Sequence, residues 1–219
     1  SPYAQWNVMK LARENNVTVL LDGQGADESL GGYEVYFGFL YANLLKQGNY
    51  TQLISELMKN FKKGLEISMR GLKYFANQKS GNLKSSTSEY YNQEFLKNHS
   101  GENILSYRTK DNLNEKLYED FSKYILPSLL RFEDRNAMKF SIESRTPFLD
   151  YRIIKMLFET EAVYKMHNGW SKWILRNSVD KFVANDIVWR RDKKGFPTPE
   201  RKWMMRLKED FIKTVNESK

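Results

Sequence analysis

The chain has 219 residues, of which 41% are hydrophobic and 14% aromatic, enough for one sizeable core or for part of a larger one. It contains no cysteine, which excludes a disulfide framework, a thiolate metal site and a cysteine nucleophile. A formal net charge of +8 admits a nucleic acid, an anionic small molecule or solubility alone as its meaning.

In chain order, Trp6, Met9 and Ala12 or Arg13 predict an opening helix that ends near Asn15-Asn16, where an Asn takes a left-handed cap. Val17 to Leu21 is short, apolar and β-branched, and reads as a buried parallel strand. Tyr36 to Leu45 reads as a helix ended by Gly48, and Leu53, Leu57 and Phe61 form the next helical stripe, continued by residues 64–75. Residues 77–103 are rich in Ser, Asn, Lys and Gly, and predict a long polar loop with at most a short helix at 89–96. Leu113, Leu117, Phe121 and Tyr124 or Ile125 line one helical face, and Pro127 suits the first turn of a further helix through Met138. Pro147 interrupts the chain, Tyr151 to Phe158 and Trp170 to Val179 read as helices, and Pro199 opens the last one. In that last helix Trp203, Leu207, Phe211 and Val215 recur every four residues opposite a basic face. The expected architecture is mainly α, stacked on a lone strand. No apolar stretch approaches transmembrane length and no secretory signal opens the chain, so a cytoplasmic, soluble domain without a membrane is expected. His99 and His167 are too few and too far apart for zinc, and read as surface or packing residues.

The strand runs into Asp22-Gly23-Gln24-Gly25-Ala26-Asp27-Glu28-Ser29-Leu30-Gly31-Gly32-Tyr33. Gly23 and Gly25 leave this turn without side chains, so a ligand can approach its backbone. Asp27 and Glu28 offer hard oxygen ligands of the kind Mg²⁺ takes beside substrate phosphates. A plain tight turn followed by a solvated helix N-terminus has the same residues, and the spacing alone leaves both readings open.

Three ordered blocks carry a resemblance. The string GQGADESLGGY resembles the GEGADE-type signature of the asparagine synthetase family, in its synthetase domain. Leu129 to Met138, running into Ile142 to Asp150, is similar to the family's LLR-x-x-DR-x-x-M … E-x-R-x-PFLD block. Ser171 to Arg176 and Trp189 to Pro199 are similar to its KW-x-LR and R-x-K-x-GF-x-x-P elements. The resemblance implies that the chain is the C-terminal part of an α/β adenine-nucleotide-hydrolase-like (PP-loop ATPase) domain. The family's SGG-x-DS pyrophosphate loop and its N-terminal cysteine glutaminase domain have no counterpart in the 219 residues, so the piece is expected to be inactive alone.

The resemblance further implies an ATP-dependent ligase. In the family an aspartate side-chain carboxylate attacks the α-phosphorus of ATP, and ammonia from glutamine displaces AMP to give asparagine. ATP and Mg²⁺ are the implied cofactors, and the partners are small molecules, with room for a homodimer. Asp27 is the implied metal ligand, and Gly23, Gly25 and Arg135 join it as nucleotide-binding residues. Lys193, at the K of R-x-K-x-GF, is implied to meet the phosphates, and within the resemblance the basic run Arg190 to Lys194 faces them. Gln24 departs from the family's Glu, which is implied to help the incoming amine lose a proton. A Gln cannot take a proton, so Glu28 and Glu143 are the alternative carboxylates. Glu143, Arg145 and Asp150 are expected to form a charge network around Pro147. Two other readings stay open: a related ligase with a different acid or amine, and a non-catalytic basic helical module that binds anions. With no basic–aromatic motif, nucleic-acid binding is not expected.

Overall fold

The structure, a computed structural model, describes residues 1–59, 94, 112–191 and 198–218. The elements in chain order are α1 (Pro2–Glu14), β1 (Val19–Leu21), α2 (Ala26–Leu30), α3 (Tyr36–Lys46), α4 (Tyr50–Lys59) and α5 (Leu113–Glu119), with α5 passing into a π-turn (Asp120–Tyr124). Then come α6 (Leu126–Lys139), β2 (Glu143–Arg145), a 3-10 turn (Pro147–Leu149), α7 (Tyr151–Glu159), α8 (Ala162–Lys165), β3 (Met166–His167), β4 (Trp170–Ser171), α9 (Trp173–Val179), α10 (Asn185–Val188), α11 (Glu200–Arg206) and α12 (Lys208–Glu217). The architecture is mainly α, as the periodicity predicts. The expected helix at 64–75, the loop at 77–103 and Lys193 lie outside the described residues, Glu94 excepted.

The chain divides into two compact units. The first holds residues 1–21, 131–145 and 191–219. Its core is Met9, Ala137 and Ile142, with Ala12, Leu20 and Phe140 packed against them. Asn16, at φ 58°, ends α1 in the expected left-handed way, and Val17 N–H then bonds the Ala12 carbonyl at 2.9 Å. The lone strand has a partner: β1 pairs in parallel with β2, Val19 opposite Glu143 and Leu21 opposite Arg145. The segment Glu-Ser-Arg carries no β-branched or aromatic residue, so propensity gives no sign of it; the ladder is a product of tertiary pairing. Two residues apart on a strand, Glu143 and Arg145 share a face and pair at 2.7 Å. Nor is β1 a buried strand, since Leu21 is 75% exposed. A parallel strand is ordinarily covered on both faces, and among the described residues this ladder has two strands. The expected last helix is broken at Leu207 into α11 and α12; among the described residues Trp203 of its apolar stripe is half-buried and meets Tyr3 edge to face at 5.5 Å, while Leu207, Phe211 and Val215 are exposed. Among the described residues no helix is long and apolar enough to cross a membrane.

The second unit holds residues 22–130 and 146–190. One cluster joins α3, α4 and α5 through Tyr36, Phe39, Leu40, Leu44, Leu53, Leu113 and Leu117. Another joins α2 to α7 through Ala26, Leu30 and Leu157, flanked by Phe148, Ile174 and Leu175. The helix expected from Trp170 is in fact a hairpin followed by a shorter helix. Asn168 and Gly169 both take positive φ, 54° and 72°, and turn β3 into β4. Asn-Gly is the dipeptide that such a two-residue turn requires. The buried carboxylate of Glu56 on α4 accepts the N–H groups of both turn residues at 2.7 Å, and holds the hairpin in place.

Lys165 is fully buried, with Nζ 2.8 Å from Asn114 Oδ1 and 5.2 Å above the Phe158 ring. Burial pulls its ammonium down to about 8 from 10.5. Between those values the unfolded chain holds a proton the folded chain has released, so stability rises with pH across that window and is penalised by about 3 kcal/mol below it. Lys165→Met is expected to abolish that rise. At neutral pH it is expected to stabilise the chain by about 1–2 kcal/mol, the lost hydrogen bond offsetting the rest. Urea unfolding at pH 7 and pH 10 measures both, and a less stable variant with an unchanged pH slope would refute it.

Candidate functional site

The acidic turn lies in the second unit, and side chains from three other segments of that unit pack around it. Gly25 opens α2 at φ 88°, a conformation that L side chains rarely adopt. Its open face is filled by Leu149 of the PFLD segment, which a Cβ at 25 would overlap. Gly23 has nothing within 4 Å of its Cβ position, so of the two glycines it is the one with open space. Gln24 lies between them, half-buried, its N–H bonded to Asp22 Oδ1 at 3.1 Å in the Asx manner. The end of α2 is closed by Gly31 at φ 71°, whose N–H bonds the Asp27 carbonyl.

Asp27 and Glu28, adjacent in sequence, face different surroundings. The Asp27 side chain is 28% exposed, and its Oδ1 meets Lys172 Nζ at 2.8 Å. Gly32 makes room for this pair: a Cβ there would overlap Asp27 Oδ1 and lie 2.7 Å from Lys172 Cε. Glu28 is 1% exposed and accepts the Tyr33 hydroxyl at 2.5 Å. Burial first, and the Glu28 hydrogen bond second, push the Tyr33 phenol far above its ordinary range, so it stays a donor. Deeper in the unit, Tyr36 donates to Asp120 Oδ2 at 2.8 Å, and Lys116 Nζ reaches Asp120 Oδ1 at 2.7 Å. The π-turn that begins at Asp120 is closed by Ile125 N–H on the Asp120 carbonyl.

The sequence-predicted residues therefore fall into three groups. Gly23, Gln24, Gly25, Asp27 and Glu28 share one turn, with Asp27 toward solvent and Glu28 toward the interior. Arg135 is an exposed residue of α6 in the first unit, where Glu133 is the buried acid and accepts the Ser144 hydroxyl. Lys193 lies outside the described residues. Among the described residues, the charge network expected around Pro147 shows as two local pairs: Glu143 with Arg145, and Asp150 with Arg152 at 2.7 Å. Asp150 also caps α7 by accepting Arg152 N–H at 2.9 Å, because an Asp directly before a helix satisfies an otherwise unpaired donor. The side-chain and backbone hydrogen bonds from Arg152 hold the Asp150 carboxyl down to about 2. Sequence reasoning gave Lys172 no role. The available signal was its place at the K of KW-x-LR, four residues before Arg176.

As donors for Mg²⁺, the described residues offer no cluster of three or more acids or histidines. A cage made wholly of protein ligands does not fit them. A magnesium ion that takes one carboxylate here and its remaining oxygens from phosphates and water does fit, since Asp27 alone meets that need.

Comparison with known proteins agrees on the family. The asparagine synthase family model matches residues 1–219. Asparagine synthetase [glutamine-hydrolyzing] 1 of Bacillus subtilis is 27% identical over 221 residues, covering 92% of this chain and 34% of that protein. Asparagine synthetase [glutamine-hydrolyzing] 3 of the same organism is 25% identical, covering 94% and 30%. A putative asparagine synthetase [glutamine-hydrolyzing] of Mycobacterium bovis is 27% identical, covering 89% and 32%. The chain thus spans about a third of the length of these curated relatives. No solved structure matches. With the family model matched from the first residue to the last, the chain belongs to the asparagine synthase family, whose synthetase domain is of the PP-loop ATPase type.

Proposed function

We propose that the complete protein is an ATP-dependent amide-forming ligase that activates the side-chain carboxylate of aspartate as an acyl-adenylate and amidates it with ammonia drawn from glutamine. The observation that carries this reading is the meeting of three family blocks in one unit: the acidic turn, with Leu149 of PFLD seated on Gly25 and Lys172 of KW-x-LR on Asp27. In the first step a carboxylate oxygen bonds to the α-phosphorus, and the bond to the β-phosphate oxygen breaks, releasing pyrophosphate. In the second step ammonia bonds to the acyl carbon, AMP leaves with the electron pair of the C–O bond, and the nitrogen loses a proton.

Both steps move negative charge onto phosphate oxygens, so preorganised cations are the expected aid. Asp27 is the residue that would hold Mg²⁺, which when bound neutralises phosphate charge. Lys193 would bring a positive point charge on a flexible side chain to the phosphates. Glu28, buried and held by Tyr33, supports the turn rather than the amine. Gln24 orients the nucleophile by hydrogen bonds and leaves the proton to water or product. The chain by itself lacks the SGG-x-DS loop and makes no asparagine. In this reading the enzyme is cytoplasmic and its partners are small molecules.

The test is pyrophosphate release with aspartate, ATP and ammonia. The complete gene product is expected to be active, and Asp27→Ala and Lys193→Ala are each expected to lose at least about 100-fold, as single electrostatic contacts to a transition state do. Full activity in both variants, or asparagine made by the 219-residue chain alone, would end this reading. The departure at Gln24 favours a second outcome, in which the ligase is real but another acid replaces aspartate. Pyrophosphate release that needs a different acid in a substrate panel identifies that case.

A further inference from the structure

Lys172 occupies a backbone conformation that lysine disfavours. Its φ is 55° and its ψ 36°. In that left-handed region a Cβ crowds the backbone, and glycine or asparagine is the usual occupant. The neighbouring hairpin uses the usual occupants, with Asn168 and Gly169 at its two positive φ angles. A lysine held in such a conformation points to use of its side chain. That side chain meets Asp27 Oδ1 at 2.8 Å, and the Lys172 N–H donates to the Leu30 carbonyl at 3.2 Å. Lys172 therefore grips α2 with both backbone and ammonium. Both side chains of the pair are about three-quarters covered, so solvent screens it less than an exposed pair.

Four residues later, Arg176 follows within α9, its N–H bonded to the Lys172 carbonyl at 2.9 Å. Its Nε donates to the Ser171 carbonyl at 2.8 Å, and its Nη1 donates to the Val188 carbonyl and, at 3.4 Å, to that of Arg190. The guanidinium lies 5.0 Å over the Trp170 ring, and Trp189 packs on both Trp170 and Trp173. One short helix thus holds the acidic turn at its start and the chain at 188–190 one turn later. Glu56, holding the Asn168-Gly169 turn, fixes the hairpin from which the helix departs.

We propose that Lys172 is a positioning residue of the nucleotide site: it fixes the Asp27 carboxylate against α2, and with Arg176 it makes α9 a brace that sets where that carboxylate stands relative to residues 188–190. This rests on the proposed function in one respect, that Asp27 serves Mg–ATP. The pair occupies the Asp27 side chain without removing it from solvent, so the lysine orients the carboxylate and the nucleotide complex meets it already placed.

The decisive variant is Lys172→Gly, which keeps the left-handed backbone and deletes only the side chain. Lys172→Asn, whose side chain also tolerates this backbone, serves if the glycine variant does not fold. The readouts are equilibrium binding of Mg–ATP to the complete gene product by calorimetry, and its thermal unfolding. Lys172→Gly is expected to melt within a few degrees of wild type, yet to bind Mg–ATP about 10-fold or more weakly, as loss of a residue orienting a metal ligand does. Lys172→Arg is expected to recover most of the affinity. In an Asp27→Asn background, Lys172→Gly is expected to change nothing further. Wild-type affinity in Lys172→Gly, alongside weak binding by Asp27→Asn, would overturn the positioning role and leave the nucleotide reading standing. An equal loss in the Asp27→Asn background would overturn it too, because the lysine would then act on the phosphates itself. Absence of Mg–ATP binding by the wild type, or undiminished binding by Asp27→Asn, would overturn both.

Discussion

Lys116→Met is expected to cost about 3–5 kcal/mol, the range for breaking a buried ion pair by removing one partner. Lys116 and Asp120 have side chains only 9% and 3% exposed, with 2.7 Å between Nζ and Oδ1. Methionine fills the volume of the lysine stem but leaves the Asp120 carboxylate with a buried charge that Tyr36 can only partly satisfy. Since whole domains are stable by about 5–15 kcal/mol, this one change brings the unit close to unfolding. Urea denaturation measures the loss. The informative companion is the triple variant Lys116→Met, Asp120→Leu, Tyr36→Phe, which removes both charges and the phenol together. It is expected to return to within about 1 kcal/mol of wild type, because buried ionic groups replaced as a set by apolar ones are often neutral. A single variant costing under about 1 kcal/mol would show that water reaches the pair and that the buried reading is wrong.

The same chemistry bears on the acidic turn. Tyr33 and Tyr36 lie with ring centroids 5.6 Å apart, one hydroxyl on Glu28 and the other on Asp120. Two neighbouring phenols thus serve two buried acids, one beneath the turn and one at the π-turn. Glu28 belongs to this interior arrangement and not to the solvent face that Asp27 occupies. Of two consecutive acids, one builds the platform and the other is presented on it.

Sequence pattern made the helices readable where burial follows a 3.6-residue period, as at Leu113 and Leu117, and where a residue tolerates the left-handed conformation that ends a helix, as at Asn16. It failed where the controlling interaction is distant in sequence. Glu143-Ser144-Arg145 has no strand propensity, and only the parallel pairing with Val19 to Leu21 makes it a strand. The helical reading of Trp170 and Ser171 gives way to a hairpin, for which Asn168-Gly169 is the turn signal. The apolar stripe from Trp203 to Val215 has helical spacing but is mostly exposed among the described residues, because periodicity reports a face and not what covers it. At the acidic turn, the motif singles out Asp27 and the glycines but carries nothing of their geometry. That Gly25 accommodates Leu149, and Gly32 an ion pair, depends on residues 124 and 140 positions away along the chain. No local pattern encodes such a contact. Lys172 escaped for the same reason, since a lysine before a tryptophan looks like an exposed helix start until its φ is known.

Gly32→Ala is expected to cost about 2–4 kcal/mol, combining overpacking of a filled site with loss of a partly covered ion pair. The new methyl group would overlap Asp27 Oδ1 and stand 2.7 Å from both Asp27 Cγ and Lys172 Cε. A long flexible side chain could yield at its tip. Asp27 has no such freedom, because its carboxylate is one bond from Cβ and is held by Lys172. The pair must come apart, and the carboxylate must swing away from where α2 presents it. The penalty should therefore shrink when the tether is cut first. In a Lys172→Gly background, Gly32→Ala is expected to cost about 1–2 kcal/mol less than in wild type, a coupling typical of residues in contact. Urea unfolding of the four proteins in that cycle gives the number directly. Strict additivity would show that the glycine is required by the backbone alone, and that the Asp27–Lys172 pair is not what the missing side chain at position 32 makes room for.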